Sequence, residues 1–552
     1  MYRIVYVFFI VLSNSIFAQN FYLDLQATTT EERHSIDSLQ YEKRFANPKA
    51  ITDYTQSFSE RLTKLGYLQN RISAPQKTND STFVSQIQFG KRTSTLRIIT
   101  TDTPFLKEMN FVKQDTILVS ITETENFMNA LMQQLEQSGY AISKIKLENF
   151  RLENSILTAN LKEQISTKRT LDDVVVMGYE KFHEGHKREL KRMYRKRTLN
   201  QKTLEELYQD VQKFSFVNQI KPPEILFTKD STRVFVYLEK ARANSFDGYV
   251  GFNTDTDDNV QFTGYLDLLL NNALNSGERL KLYWKNDGNQ QQTFDFSAEL
   301  PYVFNTPFAL RGNLNIYKQD STFQTTKTNF DLGYYLKYNQ RIYLGYESVN
   351  SNDIQSISSM SLNDFKSSFF TSTFEYFDLN REDFLFPEKR KFIFRAGIGD
   401  RKTSFGDTSQ YFAHLNGFNN FYLNQKNIIL LKIDGYYLQS DSYVINELYR
   451  FGGINSIRGF QENSLQSSFL SGLMLEYRYV LAPSIYVHTI TDYAYFQDKA
   501  SDINKKLLGL GFGLGFITNN GLFNFVYANG SADNQEIKFS NSIVHISFKT
   551  NF

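Results

Sequence analysis

From about residue 246 to its end, the chain repeats a single pattern. Runs of alternating polar and aromatic or aliphatic residues are broken by clusters of Asn, Asp, Gly and Ser. Successive side chains of a strand point to opposite faces, so an alternating run needs one apolar and one aqueous surface. The last run shows this most clearly. Val544, Ile546, Phe548, Thr550 and Phe552 fall on one face, and His545, Ser547, Lys549 and Asn551 on the other. About sixteen such runs recur at a spacing of about 19 residues, which suits membrane strands of roughly 9–11 residues plus turns. Ile428–Ile433 and Phe369–Phe374 are dense apolar or aromatic examples. Asn286-Asp287-Gly288-Asn289 and Asn519-Asn520-Gly521 read as turns between neighbours. The pattern predicts a 16-stranded antiparallel transmembrane β-barrel over 246–552. A soluble β-sandwich would not need so many strands, an export signal and an aromatic C-terminus together.

Composition supports this reading. Among 552 residues there are 50 Phe and 34 Tyr against one Trp (Trp284) and 9 Pro, a strand-favouring balance. After the first twenty residues no apolar run is long enough for a transmembrane helix. Cysteine is absent, which excludes disulfides, thiolate metal sites, a Cys nucleophile and a lipidated mature N-terminus. The near balance of 61 Lys+Arg with 59 Asp+Glu gives no whole-chain case for a nucleic-acid partner. Met1-Tyr2-Arg3, the apolar run Ile4 to Leu12, and Ile16-Phe17-Ala18 read as a secretory signal peptide over 1–18, cut after Ala18.

Between the signal and the barrel, helical and strand patterns mix. Gly66-Tyr67 and Gly139-Tyr140 each follow a helical stretch and precede strand pairs, the second about 73 residues after the first. A third unit runs from the strand Asp173–Met177 through helices at Lys187–Lys196 and Leu204–Lys213 to strands at Glu224–Phe227 and Arg233–Leu238. The β-α-α-β-β order of these units resembles the POTRA module, with units at 19–97, 98–166 and 167–241. Generic α+β domains are the alternative for the first two. The fold class expected is thus α+β POTRA-like repeats followed by the barrel. The basic run His186 to Arg197 reads as a solvated helix face, with contact to anionic lipid headgroups as a second reading.

One segment breaks the alternation, inside a loop at about 441–464: Arg450-Phe451-Gly452-Gly453-Ile454-Asn455-Ser456-Ile457-Arg458-Gly459-Phe460. Downstream come Ile490-Thr491-Asp492-Tyr493-Ala494 and the run Gly509 to Phe516. Parity puts Leu508, Leu510, Phe512, Leu514 and Phe516 toward lipid and Gly509, Gly511, Gly513 and Gly515 toward the lumen. Tyr493 and Tyr495 face lipid, so Asp492 faces inward. These elements, in order, resemble the BamA/TamA superfamily of outer-membrane assembly and secretion proteins. Its signature loop carries Val-Arg-Gly and then Tyr or Phe; here Ile457 replaces Val. Its next strand carries Phe-x-Asp-x-Gly, of which only Asp492 is kept.

The resemblance implies that the sixth extracellular loop folds into the barrel and that its Arg docks on the wall. Arg458, Gly459, Phe460 and Asp492 form the expected lock, with the glycine stripe making room for the loop. In a wet lumen the Arg458–Asp492 pair is expected to add little stability. Val544, Ile546, Phe548 and Phe552 resemble a C-terminal sorting signal.

No enzyme constellation, metal spacing or cofactor motif is present. The family implies a non-enzymatic machine of the Gram-negative outer membrane, with periplasmic modules that capture unfolded outer-membrane or secreted clients by strand addition. Glu224–Phe227 and Arg233–Leu238 are the expected edges. Accessory periplasmic or lipoprotein subunits are compatible partners alongside the lipid bilayer. The barrel would open at a seam between its first strand (Phe246 to Asn253) and its last (Ser542 to Phe552). Three modules resemble TamA more than BamA, which usually has five. A two-partner-type secretion transporter and a passive porin or surface adhesin are the alternatives.

Overall fold

The computed structural model describes residues 20–551, apart from 155, 255–259, 287–290, 320–321, 355–361, 381–382, 519–520, 534 and 537–541. The signal-peptide segment, the terminal Phe552 and most of the two turn clusters lie outside the described residues. The chain forms two compact units: residues up to Arg169 with 198–201, and 170–197 with 202–552.

The first unit contains two mixed sheets with the same logic. In one, Phe21–Ala27 runs parallel to Thr82–Gln88, Tyr22 opposite Thr82, and Thr82–Gln88 pairs antiparallel with Arg71–Ile72. In the other, Thr95–Ile99 runs parallel to Ile156–Gln164, which pairs antiparallel with Lys144–Glu153. The helices Pro48–Lys64 and Thr124–Gln137 cover these sheets with Phe58, Leu62, Leu131 and Leu135, all buried. Asn47 caps the first, its side-chain oxygen accepting the Ala50 N–H at 2.8 Å, with Pro48 at the first turn. The boundary read at 97/98 falls inside Thr95–Ile99 and is corrected. Leu96 and Ile98 are buried in the second core, so that unit starts before Thr95. A five-residue strand offers too little alternation to be separated from the preceding loop by pattern alone.

The second unit joins the third module to the barrel. The module has the order strand Asp173–Met177, helices Glu184–Tyr194 and Gln201–Gln212, strands Val217–Phe227 and Thr232–Lys240. Its sheet places Thr232–Lys240 in the middle, parallel to the first strand and antiparallel to the second. Arg233–Leu238 is therefore not an edge, correcting that expectation. Val234, Val236 and Leu238 are fully buried, and their strand is hydrogen-bonded on both sides. The edge strands are Asp173–Met177 and Val217–Phe227.

Within the basic run, Lys187 pairs with Glu184 (2.7 Å), Lys191 with Asp173 (3.1 Å), Arg192 with Glu189 (2.5 Å) and Arg197 with Glu206 (2.5 Å). His186 points inward instead. It packs edge-on against Tyr302 (ring centroids 4.6 Å) in a barrel turn and against Phe216 (5.2 Å) in the module. A side chain at Gly277, in another barrel turn, would collide with its ring. This small aromatic cluster seats the module on the barrel.

The barrel closes sixteen antiparallel strands in chain order, from Ser245–Thr254 to Ile543–Asn551. Its outer wall is apolar: Phe370 is 72% exposed, Ile398 68% and Ile546 61%. Closure satisfies the backbone around the ring, and the outward belt meets hydrocarbon, as membrane barrels require. Closure is uneven, however. The first and second strands align without a break from Ser245–Leu269 to Thr254–Val260. Among the described residues, the first and last strands align only at Ser245–Asn551 and Phe246–Thr550.

Candidate functional site: a loop locked in the lumen

The eleventh strand (Asn427–Gln439) and the twelfth (Phe469–Ala482) are joined by the sixth connection at the end of the barrel away from the module. Residues 440–468 turn inward rather than outward, stiffened by a short ladder of Tyr449–Phe451 with Leu465–Ser467. At the mouth, Glu447 pairs with Arg401 of the wall and accepts a hydrogen bond from Gln410 at 2.7 Å. Deeper, Phe451 and Ile457 pack with Leu470, Met474, Ala494, Phe496 and Leu507. Ile457 has no exposed surface, and burying such a side chain is worth roughly 1.5–3 kcal/mol. That apolar anchor sets the position of the next residue.

Arg458 engages the wall with its backbone and its fork. Its backbone N–H donates to Asp492 Oδ2 (2.8 Å), its Nε to the same oxygen (2.8 Å), and its Nη2 to Oδ1 (2.6 Å). Its remaining Nη1 donates to Glu476 on the twelfth strand. Glu476 also accepts from Arg478 Nε at 2.7 Å. The result is a cluster of two guanidiniums and two carboxylates. Paired charges and full hydrogen bonding are what make burial of such groups tolerable. Asp492 is 0% exposed and Arg458 6%. The expectation of a solvent-screened pair is therefore corrected, because loop and wall together bury both partners.

The backbone on either side of Arg458 touches the wall. A side chain at Gly509, on the fourteenth strand (Ile503–Thr518), would collide with the Arg458 carbonyl. One at Gly459, which has φ +87°, would strike the backbone at Asn529 and Gly530 of the fifteenth strand (Gly521–Ala532). Phe460 covers Gly530 from the lumen side and joins the apolar cluster. The glycine stripe thus divides by task. Gly509 receives the loop, but Gly511 lies against the Tyr527–Ala528 backbone, and His488 and Tyr486 fill the space at Gly513 and Gly515. The expectation that the whole stripe admits the loop is corrected, since neighbouring rings on the thirteenth strand (Ile485–Asp498) occupy its lower half.

Sequence reading missed Glu476, Gly530 and a further tie from Glu462 to Lys285 and Tyr283 of the third strand (Arg279–Asn286). Glu476 had a signal: Met474, Glu476 and Arg478 share one parity, which puts charge on the lumenal face. Of the residues read as a sorting signal, Val544, Ile546 and Phe548 face outward at 52%, 61% and 43% exposure, and Phe552 is not described. Among the described residues, no group of three His, Asp or Glu side chains could hold a metal ion.

No family model and no curated protein matches the sequence. Solved structures do match in fold. CdiB from Acinetobacter baumannii is 15% identical at a TM-score of 0.50, covering 83% of this chain and 90% of that one. BamA from Haemophilus ducreyi lacking POTRA domains 1–3 is 16% identical at 0.48, covering 83% and 99%. CdiB from Escherichia coli is 12% identical at 0.48, covering 91% and 98%. On the first of these the chain shares the fold of CdiB from Acinetobacter baumannii.

Proposed function

We propose that this chain is a non-enzymatic outer-membrane protein that helps client proteins insert into, assemble in or cross that membrane. Its POTRA-like modules capture the client from the periplasm, and the seam between the first and last strands serves as the lateral opening. The observation that carries this reading is the contrast in pairing. Among the described residues, the last strand aligns with its other neighbour from Leu522–Lys549 to Ala528–Ile543, but with the first strand at two positions. Unpaired backbone groups facing hydrocarbon are costly, and a client strand would satisfy them. The locked loop stands beside that seam, since Gly530 belongs to the strand next to the last one. It would hold the wall in shape while the seam parts.

Depletion followed by quantitative proteomics of outer membranes tests this. A selective fall in other barrel proteins or in exported proteins is expected; an unchanged profile refutes it. A second reading, a two-partner-type secretion transporter, uses the lumen in place of the seam. In its favour is a cavity of about 1180 Å³ beneath the loop tip. In that case one exported cargo, not a set of barrels, disappears on depletion.

A further inference from the structure

That cavity lies in the half of the lumen nearer the third module. Its roof is the loop tip, residues 454–456 and Arg458, and its floor is the turn 384–387 together with Arg242 of the linker. At about 1180 Å³ it exceeds the 300–1,000 Å³ usual for a small-molecule pocket. Its charge is one-sided. Arg242, Lys391, Lys432, Arg458, Arg478 and Lys549 line it against only Glu388 and Glu476. Arg458 and Arg478 are engaged by Asp492 and Glu476, and Lys432 donates to the Asn455 carbonyl. Arg242, Lys391 and Lys549 form no salt bridge among the described residues.

These three cations come from the linker, the ninth strand (Glu388–Thr403) and the sixteenth, so they reach the chamber from separate parts of the wall, Arg242 and Lys549 exposed to it. An excess of one sign of charge along a cleft with low-dielectric walls raises the local concentration of a ligand of the opposite sign. Between them stand Phe384, Phe418 and Leu522, which offer apolar contact, and Asn416, which offers hydrogen bonds to a peptide backbone. A bare phosphate would use the cations and leave these apolar and amide groups idle. A peptide uses all of them.

We infer that this chamber binds an acidic, extended peptide segment, which rests on the reading above that the protein handles client polypeptide. Carboxylates of the segment meet Arg242, Lys391 and Lys549, and its backbone meets Asn416. The segment enters from the module side, where Arg242 stands at the floor.

The test uses the full chain in detergent micelles and fluorescence anisotropy of oligoglutamate and oligolysine peptides carrying a neutral dye. Oligoglutamate should bind, more weakly as salt rises, and oligolysine should not. Lys391→Gln with Lys549→Gln should weaken oligoglutamate binding at least about tenfold. Lys549→Glu, which keeps a long side chain in place, should shift preference toward oligolysine. Heat-modifiable gel mobility shows that each variant remains a folded barrel. Undiminished binding by both variants overturns the inference. So does binding of inorganic tripolyphosphate without oligoglutamate, which would make the chamber a phosphate site. A clear client defect on depletion, with no peptide binding, overturns this inference alone; no client defect overturns the reading beneath it.

Discussion

Two regions of one barrel wall, separated by a single strand, are built to opposite specifications. The wall from the twelfth to the fifteenth strand is overdetermined. Its thirteenth, fourteenth and fifteenth strands pair without a break, and the wall buries an ionic cluster and holds a loop against glycines on two strands. Among the described residues, the closure between the last and first strands rests on two aligned pairs. Ladder pairing is the main cohesion of a sheet in lipid, so strain applied to this ring is relieved first at the closure. On the proposed reading, the difference marks where the ring would part and what keeps the rest from following.

The largest effect should come from abolishing the difference. Phe246→Cys with Thr550→Cys places two thiols on aligned positions of adjacent antiparallel strands, close enough for a disulfide. The chain has no other cysteine, so oxidation is unambiguous. Oxidised protein should lose client-handling activity almost entirely and regain it on reduction, as read by growth and outer-membrane protein levels. Full activity while oxidised would break the comparison.

Next is Gly459→Val. Its backbone conformation and its contact with Asn529 and Gly530 both reject a side chain, so the loop should leave the wall. The barrel should still form, with strong new protease cleavage between 440 and 468. A protected loop would show that the backbone contact does not hold it.

Smaller, and sharper as a measurement, are Arg458→Ala and Asp492→Ala. Each strands a buried charge, a loss of about 3–5 kcal/mol when a buried pair is broken from one side. Because both residues act through one interaction, the double variant should be no less stable to denaturant than the worse single. Additive losses would mean that the two residues stabilise the barrel independently.

The smallest effect concerns the module seat. Burial is the main cause holding the His186 imidazole well below its ordinary pKa, assisted by nearby His183 and Arg341. Among the described residues, neither ring nitrogen has a hydrogen-bond partner. The folded state therefore keeps His186 neutral, while the unfolded chain takes up a proton below about pH 6.5. Stability should fall as pH drops through that value, and His186→Phe should flatten the dependence. Denaturant melts at pH 7.5 and pH 5.5 report the difference.

Much of the barrel was legible because its signal is local. Alternation with period two is written in each strand, and parity alone set Asp492 inward and Phe548 outward. The third module was legible for a similar reason, since its elements are long enough to show their own periods. What escaped were relations between distant segments. Glu462 meets Lys285, 177 positions away, only because sixteen strands close a ring. The short strand Thr95–Ile99 and the central place of Thr232–Lys240 are defined by partners, not by their own residues.

The sequence by itself determined the number of strands, their inward and outward faces, and the one loop whose motif departs from alternation. These follow from backbone geometry and from the demand that apolar side chains meet lipid. Only the tertiary structure decided that Glu476 completes the ionic cluster, that Gly509 and Gly530 receive the loop while Gly513 and Gly515 do not, and that Arg242, Lys391 and Lys549, with no salt bridge among the described residues, line one cavity beneath it. Those outcomes depend on which strands face one another across the lumen. That arrangement is set by closure of the whole ring, and no single strand encodes it.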